Sequence, residues 1–96
     1  MTVYIGAPWK ASTTQVKAYT GNAGVIDNAV GTQTRVVRIV TTTAAHIAFG
    51  AAPTATTSDV YMPAGVAEYF GITPGEKVSA VQVASGGNLH VTEMTR

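Results

Sequence analysis

Gln33-Thr34-Arg35-Val36-Val37-Arg38-Ile39-Val40-Thr41-Thr42-Thr43 is the stretch that decides the fold. Eight of its eleven residues are β-branched, a composition that suits a pleated, half-buried surface better than a helix. Read as a strand, it places Val36, Arg38 and Val40 on one face and Arg35, Val37 and Ile39 on the other. Each face then mixes apolar and cationic side chains. Neither is simply a core face, and an arginine is expected at a sheet edge or an interface.

The same reading extends outward. Ala45-His46-Ile47-Ala48-Phe49 alternates, with Ile47 and Phe49 inward and His46 outward, and residues 50–58 form a polar, proline-containing loop. Asp59-Val60-Tyr61-Met62 is a strand ended by Pro63, which cannot donate to a ladder. Ala64-Gly65 is a turn, and Glu68-Tyr69-Phe70-Gly71-Ile72 is the next strand. In Thr73-Pro74-Gly75-Glu76 the proline presets φ and the glycine supplies a positive φ, so a turn is expected. Residues 77–84 form a strand with Val81 and Val83 on one face. Ser85-Gly86-Gly87-Asn88 is a tight connection, and Leu89-His90-Val91-Thr92-Glu93 closes the set with Leu89 and Val91 inward.

Upstream of Thr32 the signals are briefer. Thr2-Val3-Tyr4-Ile5, Gln15-Val16-Lys17-Ala18-Tyr19 and Val25-Ile26 are short β-prone runs among Gly, Ala, Thr and Asn. Short strands at regular spacing predict one all-β domain over residues 1–96. It is a single β-sandwich of seven or eight strands, with a jelly roll among the arrangements. Its expected core is Val36, Ile39, Val40, Ile47, Phe49, Val60, Phe70, Ile72, Val78, Val81, Val83, Leu89 and Val91. Residues 1–31 either fold on this domain or extend as an N-terminal arm or contact segment.

The chain has 96 residues and no cysteine, so disulfides cannot supplement a modest core and thiol-ligated metal is excluded. Only 11% of residues are charged, against roughly 25% in an ordinary domain. Six cations and five acids leave a net charge of +1, with no basic run to collect phosphates. Nucleic acid is therefore not an expected partner. No run approaches the ~20 apolar residues of a membrane helix, and Met1-Thr2-Val3-Tyr4 does not open a secretion signal, so no membrane partner is expected either. A weakly charged surface rich in Thr and Ala suits a protein that sits against another protein.

Chemistry-bearing motifs are missing. There is no phosphate-binding loop, nucleophile elbow or His-Glu-x-x-His pair. Gly21-Asn22-Ala23-Gly24 lacks the strand–helix frame of a phosphate loop and reads as a turn. His46 and His90 have no metal-ligand spacing, and the five acids are too scattered to name an acid–base pair. The reading expects no catalytic residue, no cofactor and no metal. Tyr4, Trp9 and Tyr19 are candidates for an aromatic platform or for core anchors. Arg35 and Arg38 are candidates for pairing with carboxylates on a partner or for solvated edge charges.

Two resemblances follow from particular residues. Arg35-Val36-Val37-Arg38-Ile39-Val40, residues 45–55, Tyr61-Met62-Pro63-Ala64-Gly65-Val66, Glu68-Tyr69-Phe70 and residues 74–82 together resemble small structural proteins of tailed-phage virions. The likeness spans about residues 33–94. It implies a virion protein, assembled after synthesis in the host cytoplasm, of the capsid cement or decoration class. Such a protein would bind the major capsid protein and form a dimer or trimer. A tail component or a displayed carbohydrate-binding module is the alternative. Met62-Pro63 followed by Phe70-Gly71-Ile72-Thr73-Pro74-Gly75-Glu76-Lys77-Val78 is also similar to swapped-hairpin DNA-binding regulators. That family implies a short charged helix, here residues 64–70, where this chain has Gly65 and only Glu68 as a charge. With no basic face either, it stands behind the virion reading, in which Tyr4, Trp9, Tyr19, Arg35 and Arg38 are the candidate contacts.

Overall fold

Strands form where β-branched and aromatic residues alternate, and Gly, Pro, Asn and Ser punctuate them. In the computed structural model, which describes residues 9–95, they are β1 (Lys10–Tyr19), β2 (Gly24–Val25), β3 (Val36–Thr41), β4 (Ala45–Gly50), β5 (Val60–Met62), β6 (Glu68–Gly71), β7 (Lys77–Gln82) and β8 (Gly87–Thr95). The described residues contain no helix. The β-prone run Thr2-Val3-Tyr4-Ile5 lies outside them. The structure starts β1 five residues before Gln15 and begins β8 inside the expected 85–88 connection.

Two antiparallel sheets of four strands result, sheet A in the order β1-β8-β3-β6 and sheet B in the order β2-β7-β4-β5. The pairs β1–β8, β2–β7, β3–β6 and β4–β5 nest inside one another. They amount to one long hairpin rolled up. The contacts β3–β8 and β4–β7 join its turns into the two sheets. This is the connectivity of a jelly roll. Residues 9–31 fold on the domain: β1 pairs along β8 from Lys10 to Tyr19, and Ile26 and Val30 enter the core.

Side-chain alternation divides each sheet into a core face and an outer face. In β3, Val37, Ile39 and Thr41 are buried, while Val36, Arg38 and Val40 are half-buried on the opposite side. Val36 and Val40 are thus not core residues. Val37 and Ile39, the neighbours of Val36 and Val40 in sequence, point inward in their place. Val60 and Val83 also leave the expected core. Val60 lies on the short edge strand β5, and Val83 follows the last residue of β7; each is about half exposed. Tyr19, Ile26, Val30, Ala45 and Met62 fill the core beside Ile39, Ile47, Val78, Leu89 and Val91, and Phe49 and Phe70 close it with ring centroids 5.4 Å apart.

Two connections show why particular residues sit there. Gly75 has φ +88°, the left-handed conformation expected of a Pro-Gly turn, and Glu76 N donates to Thr73 O at 3.1 Å. Where the β3–β4 and β7–β8 connections meet the end of β1, the Tyr19 hydroxyl donates to Thr43 O (2.7 Å) and accepts from Thr43 N (3.2 Å). Thr43 Oγ1 donates to Ser85 O (2.9 Å), and Asn88 N donates to Thr42 Oγ1 (2.8 Å). A Cβ on Gly87 would lie 2.5–2.8 Å from the hydroxyls of Thr43, Thr42 and Tyr19, so this cluster closes only over a glycine.

Tyr19→Phe keeps the buried ring but leaves the Thr43 backbone groups short of a partner. Urea denaturation should show a loss of about 1–2 kcal/mol. The opposite outcome is expected at Thr41, whose buried hydroxyl has no hydrogen-bond partner among the described residues. Thr41→Val removes that group at nearly constant shape and should raise the unfolding free energy by about 1 kcal/mol in the same assay.

Candidate interaction surface

The antiparallel register brings the start of β1, the end of β8 and the start of β3 to one end of sheet A. Trp9, Thr95, Gln33 and Arg35 meet there and line a shallow cleft of about 550 Å³. Two of the residues singled out from sequence, Trp9 and Arg35, are therefore brought together. The described residues of the cleft offer an indole, a guanidinium, an amide and a hydroxyl, and no carboxylate. They can stack a flat or sugar-like group and donate hydrogen bonds to an oxygen-rich one.

The other candidates fall elsewhere. Tyr19 is 2% exposed in the core, and its side chain presents no surface to a partner. Tyr4 lies outside the described residues. Arg38 is not at an edge, because β3 is an interior strand of sheet A. It projects from the middle of the outer face, half-buried, between Thr92 of β8 and Tyr69 of β6. Val16 and Val40 flank this row on one side, and Val36 and Met94 on the other. Tyr69, Thr92 and Met94 were not singled out from sequence. The Val36-Arg38-Val40 alternation was the available signal, since a strand with cationic and apolar residues on its outward side marks a surface of mixed character.

The outer face of sheet B is used differently. Residues 51–58 cross it: Ala55 is buried, its N–H donates to Ser79 Oγ (3.0 Å), and Ser79 Oγ donates to Gly24 O (3.0 Å). His46 and Tyr61 stand beside this loop in edge-to-face contact, centroids 5.7 Å apart, with His46 Nδ1 3.0 Å from Asp59 O. His90 belongs to the outer face of sheet A, so the two histidines point away from each other on opposite sides of the sandwich. No group of three His, Asp or Glu gathers among the described residues.

Most of the acids hold turns. Glu93 Oε1 accepts from Gly31 N (2.9 Å) and from the Thr34 hydroxyl; Glu76 accepts from Thr73 N (3.1 Å); Asp59 accepts from Thr56 N (2.8 Å). Asp27 pairs with Lys17 at 2.9 Å, the ion pair formed among the described residues. The hydrogen bond and the charge of Lys17 hold the Asp27 carboxyl below its ordinary value of 3.8. Both side chains are solvent-exposed, so screening keeps the pair's contribution to stability small.

Comparisons with protein-family models, curated proteins and solved structures find no match to this chain. The functional reading therefore rests on the fold and on its surface chemistry.

Because the folded pKa of Asp27 is depressed, its stabilising effect is present above the unfolded carboxyl value and is lost as pH falls through the folded value. Lys17→Met should move the Asp27 carboxyl titration, followed by carbon NMR, up toward 3.8. A titration that stays in place would show that another group sets it.

Proposed function

We propose that this chain is a structural protein of a tailed-phage virion, of the capsid cement or decoration class, which acts by binding rather than catalysis. The observation that carries the proposal is a jelly roll whose sheet A has no carboxylate on the outward side of its paired strands, where Val16 is exposed and Val36, Arg38, Val40, Tyr69 and His90 are partly exposed. Jelly rolls recur in viral capsid and lectin domains. The fold by itself does not assign a role, so the surface must. The resemblance of residues 33–94 to small virion proteins points the same way.

The mechanism is mechanical. A cement protein covers joints between capsomers, and each bound copy adds interface that opposes expansion under the pressure of the packaged genome. A specific interface buries roughly 1,200–2,000 Å², and symmetric copies multiply the effect over the shell. The major capsid protein is the expected partner, and a dimer or trimer matches the local symmetry axes of such a shell.

The cleft of Trp9, Gln33, Arg35 and Thr95 favours a second reading, a carbohydrate-binding module displayed on the virion, because an indole beside hydrogen-bond donors suits a sugar ring. The DNA-binding reading gains nothing from the fold. The helix it requires over residues 64–70 is replaced by a turn at Ala64-Gly65 and by β6.

Light scattering of the purified protein, followed by co-sedimentation with purified heads lacking it, tests the proposal. A discrete oligomer that saturates the heads at a fixed ratio is expected. Protein that stays in the supernatant at every concentration would overturn the cement role, and binding on a glycan array would then favour the second reading.

A further inference from the structure

The side of sheet A that fills the core continues past the core's end and changes character there. On β3 it runs from Ile39 and Val37, both buried, to Arg35, which is exposed. On β8 it runs from Leu89 and Val91, both buried, to Glu93 and Thr95, which are half-buried. On β1 it runs from buried Tyr19 through Lys17 and Gln15 to Lys10, which is exposed and in register with Thr95. Ile72 N donates to Arg35 O at 2.9 Å, which carries the β3–β6 ladder one step past Val36. The same step along the β3–β8 register sets Arg35 across from Thr95. Lys10, Thr95 and Arg35 therefore form one cross-strand row on this side, and the cleft lined by Trp9, Gln33, Arg35 and Thr95 is built on it.

An exposed guanidinium on its own is an ordinary solvated charge. Here it lies in a concave surface, with a second cation in the same row and neutral hydrogen-bonding groups beside it. Lys10 and Arg35 form no ion pair among the described residues, where Lys17–Asp27 is the pair formed. Glu93, the next residue of this parity along β8, has its Oε1 engaged by Gly31 N and the Thr34 hydroxyl. The planar fork of an arginine matches a carboxylate with two parallel donors. The Gln33 amide and the Thr95 hydroxyl can both donate and accept, as sugar hydroxyls require. A nucleic acid strand calls for a longer run of cations than this row supplies.

We propose that the cleft is a binding site for an acidic saccharide, with a ring carboxylate on Arg35, hydroxyls on Gln33 and Thr95, and the indole of Trp9 as a wall of the site. Lys10 adds positive charge from the other side of Thr95. The assignment rests on the carbohydrate reading of the same cleft, to which it adds the charge class of the sugar, and it is independent of the cement role.

Trp9 is the chain's only tryptophan, so its emission reports on the cleft. Trigalacturonate and its methyl ester, which keeps the rings and removes the charges, are titrated into the full chain and followed by tryptophan emission and by calorimetry. The proteins are wild type, Arg35→Gln, Lys10→Gln and Arg38→Gln, with circular dichroism to confirm folding. Trigalacturonate should bind saturably and more weakly as salt is added. The ester, and trigalacturonate with Arg35→Gln, should each bind about 10-fold more weakly, the scale of one charge-assisted hydrogen bond. Lys10→Gln should lose a smaller factor. Arg38→Gln, which removes the same charge from the outer side of the sheet, should bind like wild type. Acid and ester binding equally would overturn the acidic class and leave the carbohydrate reading standing. Binding of neither, with no signal on an array of neutral and acidic glycans, would overturn both and leave the cement role untouched. Equal losses for Arg35→Gln and Arg38→Gln would overturn the placement in this cleft. Triglutamate binding as tightly as trigalacturonate would overturn the sugar as the ligand class.

Discussion

Successive side chains of a strand point to opposite sides, and this rule governs what β3 and β8 can do. Once Val37, Ile39, Leu89 and Val91 are committed to the space between the sheets, Val36, Arg38, Val40, His90, Thr92 and Met94 must face away from it. The core face and the outer face of sheet A are therefore two readings of the same strands. A slip of one position in β3 would put a guanidinium in the core and isoleucine on the surface, and the same slip in β8 would exchange Leu89 and Val91 for His90 and Thr92. The burial of Ile39 and Leu89, together with the cost of burying Arg38 unpaired, holds the register.

The rolled connectivity then treats the two outer faces differently. Sheet B is crossed by residues 51–58, and the Ser79 hydroxyl links Ala55 of that loop to Gly24 of β2. A polar side chain on the outside of a sheet is thus satisfied by the chain's own loop. Sheet A pairs its two longest strands, β1 and β8, and its central row runs from Thr14 through Thr92 and Arg38 to Tyr69. Thr14 and Thr92 bond to each other at 3.0 Å, whereas Arg38 forms no ion pair among the described residues.

Much of this was legible residue by residue, and some was not. The alternation of Ile47 and of Leu89 with Val91 placed those side chains inward, as the structure has them. The Thr73-Pro74-Gly75-Glu76 turn followed from the restricted φ of proline and the freedom of glycine. Val36 and Val40 were misplaced because Val36, Val37, Ile39 and Val40 are all apolar. Within such a run, composition does not reveal which parity faces the core. Trp9 and Arg35 meet in one cleft only because β1 and β3 both begin at the same end of sheet A, across β8. Tyr19 combined a core ring with a surface-like hydroxyl, and no local signal told that its partner would be the Thr43 backbone.

The sequence by itself determined an all-β sandwich, because β-branched runs of about six residues punctuated by Gly, Pro and Asn cannot do better than pair as short antiparallel strands. It also determined a surface with little charge and few groups suited to chemistry, since these depend on composition alone. Only the tertiary structure decided which strands pair, which parity of β3 is inward, and that residues 9–31 belong to the domain. Each of these depends on contacts between residues far apart in the chain, such as Lys10 with Thr95 and Val36 with Met94. Local propensity carries no information about such pairs; they are selected by the collective burial of the core.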